Sequence, residues 1–247
     1  MLEQNKIKIV VSGARGRMGA LIVKLIKESD DLIFTGEAEE ACPLDLVVEK
    51  ADVVVDFSTP AATVANTEIA SLAEKPMVIG TTGLIPEQEA QLKKASERIP
   101  IVYAPNMSIG VNLLWKLVAE AVNVLNPKFK IDIIEEHHIH KKDMPSGTAK
   151  KIMSIIEQNR RYNKDDILVC KDRLPEKDKR KALNVCSIRQ GETIGDHKII
   201  FSSDSEIIEI SHKALGREVF AEGALTACRW IKDKPKGLYS MNDVLGL

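Results

Sequence analysis

Between Glu135 and Ala149 the chain reads EEHHIHKKDMPSGTA, with three histidines, two lysines and two glutamates beside a Pro-Ser-Gly-Thr turn. Two chemistries use such a set. Clustered histidines can ligate a metal, zinc in particular. Alternatively, histidine titrates near neutrality and delivers a proton during reaction, while lysine traps an anionic substrate. The spacing argues against the metal. His137 and His138 are adjacent, so on a strand they point to opposite faces. His138 and His140 can share a face, but no helical H-E-x-x-H spacing or cysteine partner accompanies them. No metal is therefore expected. Ser146, Gly147 and Thr148 fall at a helix N-terminus whose N–H groups suit a carboxylate, with Gly147 permitting close backbone approach and the Pro145 ring fixing the entry. The purely architectural alternative is a satisfied histidine cluster with a capping serine.

A second motif, VVSGARGRMG, places Gly13, Gly16 and Gly19 after a predicted strand and at the start of a predicted helix. Such glycines let backbone N–H groups approach a pyrophosphate at a helix N-terminus. The spacing is G-x-x-G-x-x-G rather than G-x-G-x-x-G, so the motif gains weight from its context. Glu39 lies twenty residues after Gly19, at the end of the next predicted strand, where a carboxylate can accept hydrogen bonds from adenosine ribose hydroxyls. Arg15 and Arg17 are expected to face the pyrophosphate, with Arg15 also within reach of that ribose. Glu37 and Glu40 are expected to be solvated. DFSTP (Asp56 to Pro60) and GTTG (Gly80 to Gly83) carry turn-like residues at two further strand ends, where a doubly wound sheet binds ligands.

These residues need a scaffold. Over the first hundred residues, short β-branched runs such as IKIVVS, ADVVVDFS, PMVIGT and IPIVYA alternate with segments of helical spacing. That rhythm predicts βαβ units and a parallel sheet buried on both faces. After Asn106 it changes: a long helix, SIGVNLLWKLVAEAVNVL, precedes the strand KIDIIEEHH and the helix SGTAKKIMSIIEQNRR. ALNVCSIRQG, HKIIFSSD and EIIEISHKA read as strands of an open mixed sheet, and EVFAEGALTACRWIKD returns to helix. The charged stretch from Arg160 to Lys181 is expected to be a solvated excursion.

Composition removes some function classes. Of 247 residues, 44% are hydrophobic and 29% charged, and 35 basic against 36 acidic side chains leave no field favouring nucleic acid or an anionic membrane. Cys42, Cys170, Cys186 and Cys228 are far apart with no C-x-x-C pair, as expected for reduced thiols of a cytoplasmic protein. No apolar run approaches a membrane span.

Taken in order, GARGRMG, VVVDFSTP, VIGTTG, APNMSIGVN, EEHHIHKKDMPSGTA, RQGETIGDH and SHKALGREVFAEGAL span nearly the whole chain. In these motifs the chain resembles the 4-hydroxy-tetrahydrodipicolinate reductase (dihydrodipicolinate reductase) family of the diaminopimelate route to lysine. The resemblance implies an α/β fold. A Rossmann-like doubly wound parallel sheet over 1–108 and 217–247 would carry an inserted α+β substrate and oligomerisation domain over 109–216, built on an open mixed sheet, with hinge closure and a homotetramer. It also implies hydride transfer from NADH or NADPH to a cyclic unsaturated dicarboxylate, with His137 as proton donor and Lys141 as the second catalytic group. His138, Ser146, Gly147 and Thr148 would bind substrate. The cofactor would lie against Gly13, Ala14, Arg15, Gly16, Arg17, Met18, Glu39, Gly80, Thr81, Thr82, Ala104, Pro105, Asn106 and Met107.

Three residues depart from the family pattern: Asp132 stands where glutamate is usual, Arg15 replaces a small residue, and Glu40 sits where members that accept NADPH often carry arginine. With Glu37, Glu39 and Glu40 together, NADH is expected to be preferred over NADPH. A semialdehyde dehydrogenase is the nearest enzymatic alternative, but it needs a nucleophilic cysteine loop that is not spelled here. A dinucleotide sensor without catalysis would not need His137 and Lys141.

Overall fold

The computed structural model describes residues 6–125, 127–160, 162–176 and 181–247. It divides into two compact units, Met1–Ile109 with Glu218–Leu247, and Gly110–Arg217. The chain begins with β1 (Ile7–Ser12), α1 (Arg17–Glu28), β2 (Leu32–Ala38), β3 (Val53–Asp56), α2 (Pro60–Leu72), β4 (Met77–Ile79), α3 (Pro86–Ala95) and β5 (Pro100–Tyr103). The second unit carries α4 (Ile109–Val124), β6 (Lys130–His137), α5 (Gly147–Asn159), β7 (Ile167–Lys171), β8 (Leu183–Arg189), β9 (Gly195–Ser202) and β10 (Ile207–Ala214). The chain then returns to the first unit with α6 (Glu218–Ile231), β11 (Gly237–Tyr239) and α7 (Met241–Leu245).

The first unit holds a six-stranded parallel sheet in the order β2-β1-β3-β4-β5-β11. Its strands are apolar on both faces because both faces are covered. Ile9, Val11, Val53 and Val55 join Ile22 and Ile26 of α1 and Ala224 and Cys228 of α6, while Val10, Val54 and Ile79 join Ala70 of α2 and Leu92 of α3. This is the doubly wound arrangement, and the direction of winding reverses between β1 and β3. Arg229 of α6 grips Asp31, just before β2, through Nε at 2.6 Å and Nη2 at 2.9 Å.

The second unit holds a mixed five-stranded sheet in the order β10-β9-β6-β8-β7. Its period-two pattern assigns the faces. Ile131, Ile133, Leu183, Val185, Ile199 and Phe201 pack with Leu114 and Val118 of α4 and Ile152 and Ile156 of α5. The opposite face presents half-buried Ile134, Ile188 and Ile200 and the 65% exposed Ile207.

Two elements differ from expectation. The excursion from Arg160 to Lys181 contains β7, which pairs in parallel with β8 at the edge of the sheet. Its five residues, ILVCK, are too few to show a period against their charged flanks. Residues 161 and 177–180 of that stretch lie outside the described residues. β11, only Gly-Leu-Tyr, extends the parallel sheet past β5 and has no periodic signal of its own.

Candidate active site

The alternation that builds the second core also positions His137. Along β6, Ile131 and Ile133 face the helices, and the next residues on that face are Glu135 and His137. Glu135 is 0% exposed and His137 is 7% exposed. Nδ1 of His137 lies 2.5 Å from Oε2 of Glu135. The same carboxylate accepts hydrogen bonds from Arg189 of β8, Nη1 at 3.0 Å and Nη2 at 2.8 Å, and from the Ser146 N–H at 3.2 Å. Burial pushes the Glu135 carboxyl up, but the hydrogen bonds from His137 and Arg189 outweigh it and bring the pKa down to about 2. Next to it, His197 of β9 meets the His137 ring edge-on at 5.1 Å, and burial followed by the charge of His137 pushes it down to about 3. A neutral His197 shares a hydrogen bond between Nε2 and Ser146 Oγ at 3.1 Å.

Ligating atoms of Glu135, His137 and His197 lie within 4.8 Å of one another, close enough to hold an ion. The charge count opposes it. The carboxylate oxygens already accept a guanidinium, an imidazole nitrogen and a backbone N–H, so a divalent cation there would stand against Arg189. The arrangement is that of a braced imidazole.

Lys141 follows in the loop after β6. Its Nζ lies 2.8 Å from Oδ1 of Asp143, both partly exposed. Burial raises the Asp143 carboxyl, but the Lys141 hydrogen bond leaves it below its ordinary value. The loop is fastened on two sides. The His138 N–H donates to Thr193 O at 2.7 Å and the Ile139 N–H to Gly191 O at 3.2 Å, while Arg189 donates to the carbonyls of Lys141 and Asp143. His138 has its pKa lowered by burial and then by Arg217, and its Nδ1 is buried without a hydrogen-bond partner among the described residues. Ser146 caps α5, accepting from the Ala149 N–H at 3.2 Å. Its hydroxyl and N–H thus serve the fold, whereas a Cβ on Gly147 would meet nothing within 4 Å, leaving the helix N-terminus open there for a ligand.

In the first unit, the expected cofactor residues gather along one edge of the sheet: Gly13 to Met18 after β1, Glu39 after β2, Gly80 to Thr82 after β4, and Ala104 to Met107 after β5. Gly13 has φ +74°, and a Cβ there would stand 2.5 Å from the Phe57 carbonyl oxygen. The turn therefore accepts no side chain, which is the fit that close approach to a pyrophosphate needs. Asp56, 0% exposed, braces the neighbouring strand ends. Its Oδ1 accepts from the Ser58 N–H and Oγ, Thr63 Oγ1 and Thr81 Oγ1, and its Oδ2 accepts from Asn66 Nδ2.

Arg15 corrects one expectation. Its guanidinium donates to Glu37 at 2.7 Å, at the end of β2, rather than facing the helix N-terminus. Its backbone N–H donates to Glu39 Oε1 at 2.9 Å, so Glu37 is an ion-pair partner and not merely solvated. Opposite charges 22 residues apart, one in the glycine turn and one at the end of β2, explain this, and no local spacing encodes it. Sequence reasoning assigned no role to Glu135, Arg189 or His197, and placed Asp56 only at a strand end where ligands bind. Glu135 and Arg189 do stand inside quoted motifs, so a signal existed, but their shared face does not follow from position in the chain.

The family model described as dihydrodipicolinate reductase, N-terminus, matches residues 7–107, and the one described as dihydrodipicolinate reductase, C-terminus, matches residues 110–245. A curated 4-hydroxy-tetrahydrodipicolinate reductase of Syntrophotalea carbinolica is 38% identical over 98% of this chain and 99% of its own length. One from Pelagibacter ubique is 41% identical, covering 97% and 98% of the two chains. Among solved structures, a dipicolinate-bound dihydrodipicolinate reductase from Paenisporosarcina sp. TG-14 superposes with TM-score 0.78 at 24% identity over 95% of this chain and 97% of that one, a likeness of fold. Two family models that together span almost the full chain, with curated relatives above 30% identity at full length, show that this chain belongs to the dihydrodipicolinate reductase family.

Proposed function

We propose that His137 protonates, and Lys141 anchors, a cyclic unsaturated dicarboxylate as it is reduced. Family membership makes the chain an NAD(P)H-dependent 4-hydroxy-tetrahydrodipicolinate reductase of the diaminopimelate route, and the roles of individual residues are this further reading. The observation that carries it is the buried Glu135–His137 contact at 2.5 Å, with Lys141 four residues on. When bound, the nicotinamide supplies hydride. His137 supplies the proton through Nε2, because Nδ1 is committed to Glu135. Lys141 exchanges Asp143 for a substrate carboxylate, which the N-terminus of α5 at Gly147 and Thr148 helps to hold, with His138 alongside.

On the cofactor side, Glu39 takes the adenosine ribose hydroxyls, and Glu37 already neutralises Arg15, so NADH is preferred to NADPH. The chain assembles as a homotetramer through the open face of its second sheet, the face bearing Ile134, Ile188, Ile200 and Ile207. A cytoplasmic site of action belongs to the same reading and is supported by four thiols that form no disulfide. Among the described residues no helix is long and apolar enough to cross a membrane. The test is NADH oxidation with freshly made dihydrodipicolinate synthase product. Wild-type protein consumes NADH only with that product present, and His137→Gln does so at least about a hundredfold more slowly. Normal turnover by His137→Gln would overturn the acid role.

A further inference from the structure

The Glu135 carboxylate is saturated. A carboxylate offers about four lone-pair sites. Here Oε2 faces His137 Nδ1 and Arg189 Nη1, and Oε1 faces Arg189 Nη2 and the Ser146 N–H. It is held from β6, β8 and the start of α5. An ionised carboxylate only accepts, so Nδ1 of His137 must carry the hydrogen.

A second observation concerns the other nitrogen. Nε2 has no hydrogen-bond partner among the described residues, and it faces Gly195 at the start of β9. A Cβ built on Gly195 would stand 3.2 Å from it. Gly195 has no positive φ to account for it, so the missing side chain matters for the space over Nε2.

We infer that Glu135 and Arg189 form a positioning pair that fixes the ring and tautomer of His137, and that Gly195 keeps the approach to Nε2 open. The inference rests on the acid role of His137 and deepens it. In the step itself the Nε2–H bond breaks as the proton passes to the substrate carbon that carries the electron pair released by hydride addition. The Nδ1–H bond remains shared with Glu135, and solvent restores the Nε2 proton. The groups facing the ring are Glu135 on its own strand, Arg189 on β8, His197 on β9, and His138 and Lys141 in the following loop. Only one of these, Glu135, is an acid. Because Arg189 also donates to the carbonyls of Lys141 and Asp143, the same guanidinium keeps the substrate loop in register with the acid.

The experiment is ¹⁵N NMR of the imidazole together with steady-state kinetics. In the wild type the neutral His137 ring is expected as the Nδ1–H tautomer. In Glu135→Gln the amide can donate to Nδ1, so the Nε2–H tautomer should appear and kcat should fall at least about tenfold with KM changed less than about threefold. Arg189→Lys keeps the charge and loses the fork, and it should keep the wild-type tautomer with an intermediate kcat. Gly195→Ala should leave the tautomer unchanged and lower kcat/KM at least about tenfold; it serves as the second variant if Glu135→Gln does not fold. An unchanged tautomer in folded Glu135→Gln, or full activity in Gly195→Ala, would overturn the inference. The tautomer is read without turnover, so a failed acid role, seen as normal activity in His137→Gln, remains distinguishable from a failed positioning role.

Discussion

In the proposed reaction, Lys141 serves binding and catalysis together. Its ammonium is partly exposed and, among the described residues, paired with Asp143, so an arriving carboxylate can displace that partner. Lys141→Ala should lower kcat/KM by about a hundredfold or more, since a paired charge in a closed site is worth several kcal/mol. NADH binding, measured by fluorescence titration, should survive, because the cofactor residues belong to the other unit. The buried titrating groups also make stability depend on pH. His197 drops from an ordinary 6.5 to about 3 in the fold, so the unfolded chain takes up its proton first on acidification. Glu135 drops from 4.5 to about 2, with the same sign. Stability is therefore complete above pH 6.5, declines as His197 of the unfolded state protonates, and declines more steeply below 4.5. One proton of difference costs about 1.4 kcal/mol per pH unit, so roughly 2 kcal/mol should be lost between pH 6.5 and 5. Urea titrations at those two values measure it, and His197→Gln should flatten the dependence.

At the level of elements, the helix α6 and the strand β6 each do two things. α6 covers one face of the parallel sheet and lies against the loop that follows β5, where a Cβ on Gly223 would stand 1.8 Å from the Met107 carbonyl oxygen. Alanine in a helix interior ordinarily gains up to about 1 kcal/mol over glycine. The contact reverses that. Gly223→Ala should destabilise by about 1–2 kcal/mol net and weaken dinucleotide binding through residues 104–107, as thermal melts with and without NADH would show. β6 runs its apolar stripe, Ile131 and Ile133, into Glu135 and His137 on the same face, so the packing that buries the core also holds the His137 ring. A strand rather than a loop carries the proposed proton donor.

For the whole molecule, the proposed cofactor preference and assembly rest on charge and on an open face. A 2′-phosphate would meet Glu39 and Glu37, with Arg15 the nearby cation already engaged by Glu37. One unfavourable contact of about 1.4 kcal/mol gives a tenfold ratio, so kcat/KM should favour NADH by about that factor, less at high salt. Glu40→Arg should narrow the ratio further, and equal values in the wild type would mean that Arg15 leaves Glu37 for the phosphate. Assembly should be disrupted by charge on the open face. On the proposed tetramer, Ile207→Lys is expected to shift sedimentation towards smaller species while leaving the helix-covered core, and hence the melting of the second unit, nearly unchanged.

Much of this protein is written locally. Alternating β-branched runs and 3.6-residue spacings determined the parallel sheet, the long helix α4, β6 and the cap of α5, because secondary structure responds to neighbours a few residues away. The glycine turn and the His137–Lys141 segment were legible for the same reason: each is a short run whose residue types have few other uses together. Short or edge elements escaped, as β7 and β11 did, because three to five residues hold no period. Only the tertiary structure decided which charges meet. Glu135 and Arg189 are 54 positions apart, Ser146 and His197 are 51 apart, and Arg15 and Glu37 are 22 apart. Those pairings depend on strand order and register, which set the neighbours of a side chain across a sheet and which composition and spacing along one strand do not contain.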